Sequence, residues 1–528
     1  MQEIYIFHHD CIYELSRVVI SDKILFSLSC SLKAVENCFF SRNHFAPNNK
    51  YTKDQILKYT HVKELNLWNL TRCVDLIPFK YLEKLTFRRS VNELNIYDYF
   101  KLTYFDSFRT KLYINLEKCV NLIYLRCHYV ENIQNLINLQ SLKCTIAIWR
   151  STALDFRLLS HLTRFDLTND SIQHQQIILS SDLKLIILSC LRIDFLNMII
   201  NGDKLIELDL YKNLNVSFSN LMRVQNIFIG YCVNVNIFNQ EKSFQYLTQM
   251  NTDHDISDAF RYMTRLKTLR IEKSFVNIGL SFLTSLEFLL FKHTISNDMN
   301  ISNLINLTIL DFINSADIVP DVRLPRNIIN LSFKQKKYAN KIQTNNILKQ
   351  TKYMSNLQIL SLTNVSLLKS INQTSLTKLI LIKSEYQSSN NFINLKHLVF
   401  HRVNMKKINM KYLSHLKKLI LIESAEFNND HLKELKSLEI LKLRHSGNDI
   451  KFHYVSTLTY LILYLNSGNL EIKELKNLKS MKINNDNLFR KLCKDKLPDS
   501  LRDVYLKVNK KYCPDMTTMK NINLHFVK

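Results

Sequence analysis

Leu266-Lys-Thr-Leu269-Arg-Ile271 is followed by Leu286-Glu-Phe-Leu289-Leu-Phe291, and that by Leu307-Thr-Ile-Leu310-Asp-Phe312. The phrase is Leu-x-x-Leu-x-Leu, and it recurs about every 19 to 23 residues along most of the chain. Self-similarity at a fixed period names an architecture before any local motif does. Each copy is too short to bury its own apolar face, so neighbouring copies must stack into a continuous core.

The later copies are the clearest: Leu357-Leu360-Leu362, Leu376-Leu379-Leu381, Leu395-Leu398-Phe400, Leu416-Leu419-Leu421, Leu438-Leu441-Leu443 and Leu458-Leu461-Leu463. Earlier ones include Leu82-Leu85-Phe87, Leu122-Leu125-Cys127, Leu139-Leu142-Cys144, Leu183-Ile186-Leu188 and Leu205-Leu208-Leu210. Degraded copies fall near Leu102-Phe105 and Leu247-Met250, and the last reads Met519-Ile522-Leu524. The total is about 22 or 23.

Leu-x-Leu is the period of a strand with one buried face. The segment before it often runs at spacing three, as in Leu432-Leu435-Leu438 and Ile301-Leu304-Leu307, which suits a 3₁₀ turn. Each coil is therefore expected to carry a short parallel strand on one side and 3₁₀ or irregular chain on the other. The ninth position of the phrase is usually polar: Asn213, Cys232, Asn466 and Asn509, or more often Ser90, Ser274, Thr294, Ser315, Ser384, Ser424 and Ser446. Leu70, Val130, Val365 and Val403 interrupt that series.

On these residues the chain resembles a divergent leucine-rich repeat protein, over about residues 60 to 528. The resemblance implies an α/β solenoid with a curved parallel sheet and a binding surface on its concave side. Leu324-Pro325-Arg326-Asn327-Ile328 and Leu497-Pro498-Asp499-Ser500-Leu501 are similar to the FNIP class of repeat, found in amoebae and giant viruses. The domain reading is a helical region over 1–46, a linker over 47–60 and the solenoid over 61–528, with a basic insertion near 334–352 projecting as a loop.

Residues 1–46 do not repeat. Ile12, Leu15 and Val18 share one helical face, and Ile24 and Leu28 share another after Ser21-Asp22, a pair suited to start a helix. In order, Asp10, Ile12, Leu15, Val18, Asp22, Ile24, Leu28 and Cys30 resemble a degenerate F-box. That resemblance implies docking of a Skp-type adaptor through Ile12, Leu15, Val18, Ile24 and Leu28, and a place in a cullin–RING ubiquitin ligase with the repeats holding substrate. The other reading is a plain helical cap over the first coil, which a solenoid needs at its end.

The chain has only 5 glycines, no two of them close. That removes the phosphate loop, the dinucleotide fingerprint and the Gly-x-Ser-x-Gly elbow, which all need clustered glycines. The net charge of +25 arises alongside abundant Lys, Asn, Ile, Tyr and Phe, a composition that fits an AT-rich genome. A basic surface also draws acidic proteins or nucleic acid, but the cations are scattered rather than striped, so nucleic acid is the weaker alternative. The 11 cysteines include no Cys-x-x-Cys, and the start of the chain lacks the pattern of a signal peptide. No apolar run reaches the ~18 residues of a membrane span. An intracellular, reduced, non-enzymatic binding protein with no cofactor or metal is expected. His397 and His401 share a strand face and are read as solvated rather than as metal ligands.

Strand residues at positions three, five and seven point away from the core. In early coils these are mixed and charged, as at Tyr124, Arg126, Arg164 and Asp166. In late coils they become Ile359, Ile380, Ile382, Val399, Ile420, Ile422, Ile440, Tyr460, Ile462 and Tyr464. That apolar stretch is the expected partner site.

Overall fold

Two leucines separated by one residue fall on the same side of an extended chain. In the strand Lys418–Ile422, Leu419 and Leu421 are accordingly buried, while Lys418, Ile420 and Ile422 are half-buried. This computed structural model describes residues 64–68 and 81–88 and, from 101 to 526, the strands with most of the segments between them. Ile12, Leu15, Val18, Ile24 and Leu28, expected from the sequence to dock an adaptor, lie outside the described residues with the whole of 1–46 and 47–60.

The chain divides into two units, Met1–Thr252 and Asp253–Lys528. Within Asp253–Lys528 successive strands pair parallel and in register, so that Leu379, Leu398, Leu419 and Leu441 form one row under the sheet. All four are essentially inaccessible to solvent. Two positions on, Phe291, Phe312 and Phe333 stack in a column, with ring centroids 5.5 and 4.7 Å apart. Burying one such side chain contributes about 1.5–3 kcal/mol, so the core is a repeated small increment. The spacing-three segments form tight turns on the far side: 3₁₀ turns at Leu280–Phe282, Met410–Leu413 and Phe452–Tyr454. A short helix, Asn429–Lys433, is opened by a capping box between Asn428 and His431, which satisfies amides that a helix start leaves unpaired.

Met1–Thr252 follows the same plan on its front. Its back departs from the expected 3₁₀ or irregular chain. Strands at Gln175–Ile178, Ile193–Asp194, Ile199–Asn201, Leu214–Ser219 and Val233–Asn236 build a second parallel sheet there. The cause lies in Leu214-x-Val216-x-Phe218 and Val233-x-Val235, which alternate at period two instead of recurring at three. Val216 and Phe218 are buried, as alternation requires.

Two copies of the phrase sit two residues away from their sequence reading. Leu188 aligns with Phe165 and Leu208, so the copy is Leu185-Leu188-Cys190 and not Leu183-Ile186-Leu188. Ile186 is accordingly exposed. Leu524 aligns with Val504 and Phe526 with Leu506, so the final copy places Leu524 and Phe526 where Ile522 and Leu524 are expected. Runs dense in Leu and Ile permit either frame, and strand pairing selects one. At the insertion, Lys334 ends a strand and Leu348 is already buried, its carbonyl accepting from Thr351 Oγ1 at 2.6 Å. Residues 336–347 lie outside the described residues.

After many of the strands the chain turns through a left-handed residue at the eighth position. Arg192, Lys212 and Tyr231 in Met1–Thr252, and His293, Asn314, Asn364, Lys383, Arg402, Glu423 and His445 in Asp253–Lys528, all have φ between 47 and 58°. Glycine adopts this region freely and other residues at a cost of about 1–2 kcal/mol. None of these corners is glycine. The compensation is one further rung of backbone bonding: Lys383 N donates to the His401 carbonyl at 2.7 Å, and Glu423 N to that of Arg444 at 2.7 Å.

Candidate functional site

Both ends of the strands are tied polar group to polar group, which fixes the register of the face between them. At the ninth position Asn213 is fully buried; its Nδ2 donates to the Cys190 carbonyl at 2.8 Å and its Oδ1 accepts from the Ile193 N–H at 2.7 Å. In Asp253–Lys528 serine takes this part. Ser384 Oγ accepts from the Val365 N–H at 3.1 Å and donates to the Ile382 carbonyl at 3.0 Å. Ser424 Oγ accepts from the Val403 N–H at 3.5 Å and donates to the Ile422 carbonyl at 3.2 Å. Val365 and Val403 therefore do not break the series, because the serine of the following coil holds their amides.

A second tie stands just before the first leucine. Asn138, Asn306, Asn394 and Asn477 each donate through Nδ2 to a carbonyl of the preceding coil, at 2.7 to 2.9 Å. The signal was present in the sequence as Asn-Leu-x-x-Leu at 138, 306 and 394.

Between these ties lies the outward face. Strand pairing in Asp253–Lys528 sets Ile380, Val399 and Ile420 in one unbroken row. Alongside it Ile382 and Ile422 flank His401, and on the other side Lys378 and Lys418 flank His397. These five aliphatic residues form a nucleus. Lys442 and Arg444 stand next on the adjoining strand, and beyond them Ile462, Tyr460 and Tyr464 form a second group with Ile440. Lys442 Nζ lies 5.4 Å from the centroid of the Tyr464 ring. Ile359 is set apart beside Lys378. Nine of the ten residues thus make two apolar groups divided by cations, and Ile359 stands outside both. All are half-buried, because parallel neighbours only about 4.8 Å away cover their flanks. The most exposed apolar side chains lie elsewhere, in the turns before the strands, among them Ile305 at 63% and Phe282 at 56%.

Charge on this face is one-sided. No carboxylate stands at an outward position on the eight strands from Asn330–Lys334 to Ser480–Asn484. The nearby acids are engaged at the edges: Glu423 with Arg402 at 2.5 Å and Glu439 with Lys417 at 2.7 Å. Burial and the cations Lys418, Lys378 and Lys396 hold His397 below the usual histidine range. Burial also lowers His401; Glu423 opposes this, while Arg402, Lys383 and Arg444 add to it.

The outward face of Met1–Thr252 is built differently. Its fifth-position row reads Asp106, Arg126, Lys143, Asp166, Ser189, Asp209. Arg126 pairs with Asp106 at 3.8 Å, Lys143 binds Asp166, and Ser189 Oγ donates to Asp209 at 3.3 Å. Tyr104 and Tyr124 stack at 4.4 Å, and burial, with Tyr124 and Asp106 beside it, pushes the Tyr104 hydroxyl up to about 12. An open trough of about 610 Å³ runs along the turns leading into these strands, lined by Glu83, Lys101, Gln140 and His161 among others.

Among the described residues no cluster of three or more His, Cys, Asp or Glu could hold a metal ion. Cys119, Cys127, Cys144, Cys190 and Cys232 are buried. Burial pushes the Cys127 and Cys190 thiols well above their ordinary range, which suppresses the thiolate. No helix among the described residues is long and apolar enough to cross a membrane.

No protein-family model matches the chain, and no curated protein matches it. Solved structures with related architecture include the TLR13–ssRNA13 complex, at 15% identity over 85% of this chain and 75% of that one, with a TM-score of 0.44. The ectodomain of the plant receptor kinase GASSHO1/SCHENGEN3 from Arabidopsis thaliana matches at 14% over 90% and 71%, with a TM-score of 0.37. A leucine-rich-repeat protein of Leptospira interrogans matches at 14% over 92% and 100%, with a TM-score of 0.31.

The fold is a leucine-rich-repeat solenoid. The polar ninth position is held by Asn213 and Cys232 in Met1–Thr252 and by Ser384 and Ser424 in Asp253–Lys528. The leucine-rich-repeat phrase also tolerates a polar sixth position, since Ser107 and Thr252 are fully buried where the degraded copies place them.

Proposed function

We propose that the chain is a non-enzymatic protein-interaction module whose partner seats on the outward face of Asp253–Lys528. The observation that carries this reading is the row Ile380, Val399, Ile420, set in register beside Ile382 and Ile422. Aliphatic side chains gathered on an outward face favour a partner that removes them from water. Among the described residues Met1–Thr252 has no comparable row on its face. Ile380→Glu with Ile420→Glu is expected to abolish capture of partner protein while moving the melting temperature little, because Leu379 and Leu419 beneath remain packed. Unfolding of that variant in thermal melts would instead identify the row as core.

At the finer level we propose a substrate receptor of a cullin–RING ubiquitin ligase. Support comes from the order of Ile12, Leu15, Val18, Ile24 and Leu28 in the sequence. Full-length protein should then co-purify with a Skp-type adaptor, and Leu15→Asp should end that association. If the wild-type chain ignores the adaptor, residues 1–46 serve as a cap and the module is a scaffold or decoy without a ubiquitin link.

A further inference from the structure

Resting on the reading that this face docks a protein, we infer that its partner is an acidic amphipathic helix. The helix lies across the strands, with its aliphatic stripe on Ile380, Val399 and Ile420.

Charge points to the acid. Lys378 and Lys418 stand on either side of His397 along the edge of the aliphatic row. The outward positions around them hold no carboxylate on any of eight consecutive strands, and Glu423 and Glu439 are bound to other cations. Like charges gathered this way repel one another, and an acidic partner relieves that cost while steering encounter.

Spacing points to the helix. Successive strands carry the aliphatic row forward by about 4.8 Å each. A helix advances about 5.4 Å per turn, so a stripe with one side chain per turn drifts by only about 1 Å over two steps. An extended segment presents same-side residues about 6.8 Å apart and falls out of step by roughly 4 Å over the same distance. The side chains themselves weigh against nucleic acid, since single strands are held by stacking on aromatic rings and this row is aliphatic.

The test uses the full-length chain and four fluorescent probes. Three are synthetic helical peptides with a leucine stripe at i, i+3, i+4 and i+7, differing only in whether Glu, Gln or Lys fills the other positions. The fourth is a thymidine oligonucleotide. The Glu peptide should bind best, the Gln peptide on the order of tenfold more weakly, and the Lys peptide not measurably. Affinity for the Glu peptide should fall as salt is raised through the physiological range. The double variant Lys378→Glu, Lys418→Glu should lose the Glu peptide and gain the Lys peptide. An unchanged melting temperature would show that this swap is not misfolding. Equal binding of Glu and Gln peptides overturns the acidic partner and leaves apolar docking in place. Tighter binding of the oligonucleotide, lost in the same double variant, replaces the helix with nucleic acid. If no peptide binds while partner capture still depends on Ile380, the helix fails and the docking face survives. If capture also ignores Ile380, both fail.

Discussion

The outward faces of the two units use charge in opposite ways. On Met1–Thr252 charges meet their opposites on neighbouring strands: Asp106 faces Arg126, and Lys143 holds Asp166. On the late strands of Asp253–Lys528 lysines surround aliphatic side chains and the carboxylates lie elsewhere. The same backbone thus carries a face that neutralises itself and a face that leaves its charge for something else. Composition is blind to this, because a net charge of +25 does not say where the carboxylates went. Register decides it, by setting which side chains stand about 4.8 Å apart.

The largest expected effect separates the face from its support. Leu419→Ala should cost about 3 kcal/mol, as buried leucine deletions do, whereas Ile420→Ala, one residue on and half-buried, should cost about 1 kcal/mol or less. Denaturant titration checks both. Equal losses would erase the distinction between face and core on which the comparison rests.

Next is the charge pair. Asp166→Asn leaves Lys143 without its carboxylate on a face where Asp166 is 8% exposed, and should destabilise Met1–Thr252 by about 1 kcal/mol after solvent screening. Lys378→Ala removes a cation with like-charged neighbours and should cost nothing beyond about 0.5 kcal/mol. Hydrogen exchange on the whole chain, read separately in each unit, measures both. A loss at Lys378 matching that at Asp166 would mean that the late face is paired after all.

Acid should also part the two. His397 and His401 titrate below the usual histidine range, so the folded chain binds their protons less readily than the unfolded chain. Their contribution is present above the unfolded value of about 6.5 and fades as pH falls through the lowered folded values. Asp209 is shifted the other way, raised first by burial, so its contribution is fully present below the unfolded carboxylate value and is lost as pH rises through the raised one. Between pH 7.5 and 5.5 protection should fall around His397 and should not fall around Asp209, and His397→Gln should shrink the fall. The smallest expected effect is that of salt. It should slightly raise protection on the late strands, where it screens repulsion, and slightly lower it around Lys143–Asp166, where it screens attraction.

The phrase made most of this fold legible. Leu-x-x-Leu-x-Leu located nearly every described strand of the front sheet, because burying two alternating leucines favours an extended chain. The misplacements came where leucine was too plentiful to choose a frame, as before Leu188, and where the last site is Cys190. The second sheet is written in Leu214-x-Val216-x-Phe218, where alternation at two replaces the spacing of three. The asparagine tie at Asn138 and Asn306 lay one place before the pattern began. For the candidate site, the outward positions were legible and their neighbourhoods were not. Which cation separates Ile420 from Ile462 depends on pairing across strands, a relation between distant residues that no single stretch contains.

The left-handed corner that recurs after many strands bears on how such a chain changes length. Lys383 and Arg402 occupy the same corner in successive coils, and each hands its N–H to the coil beyond. Excising Val403 through Glu423 would join Arg402 to Ser424, and Arg402 would then hand its N–H to Arg444 as Glu423 does now. Because each coil ends as the next one ends, whole coils are interchangeable cassettes. A surface of this sort is edited three outward residues at a time, by gain or loss of a unit, without redesign of what lies beneath.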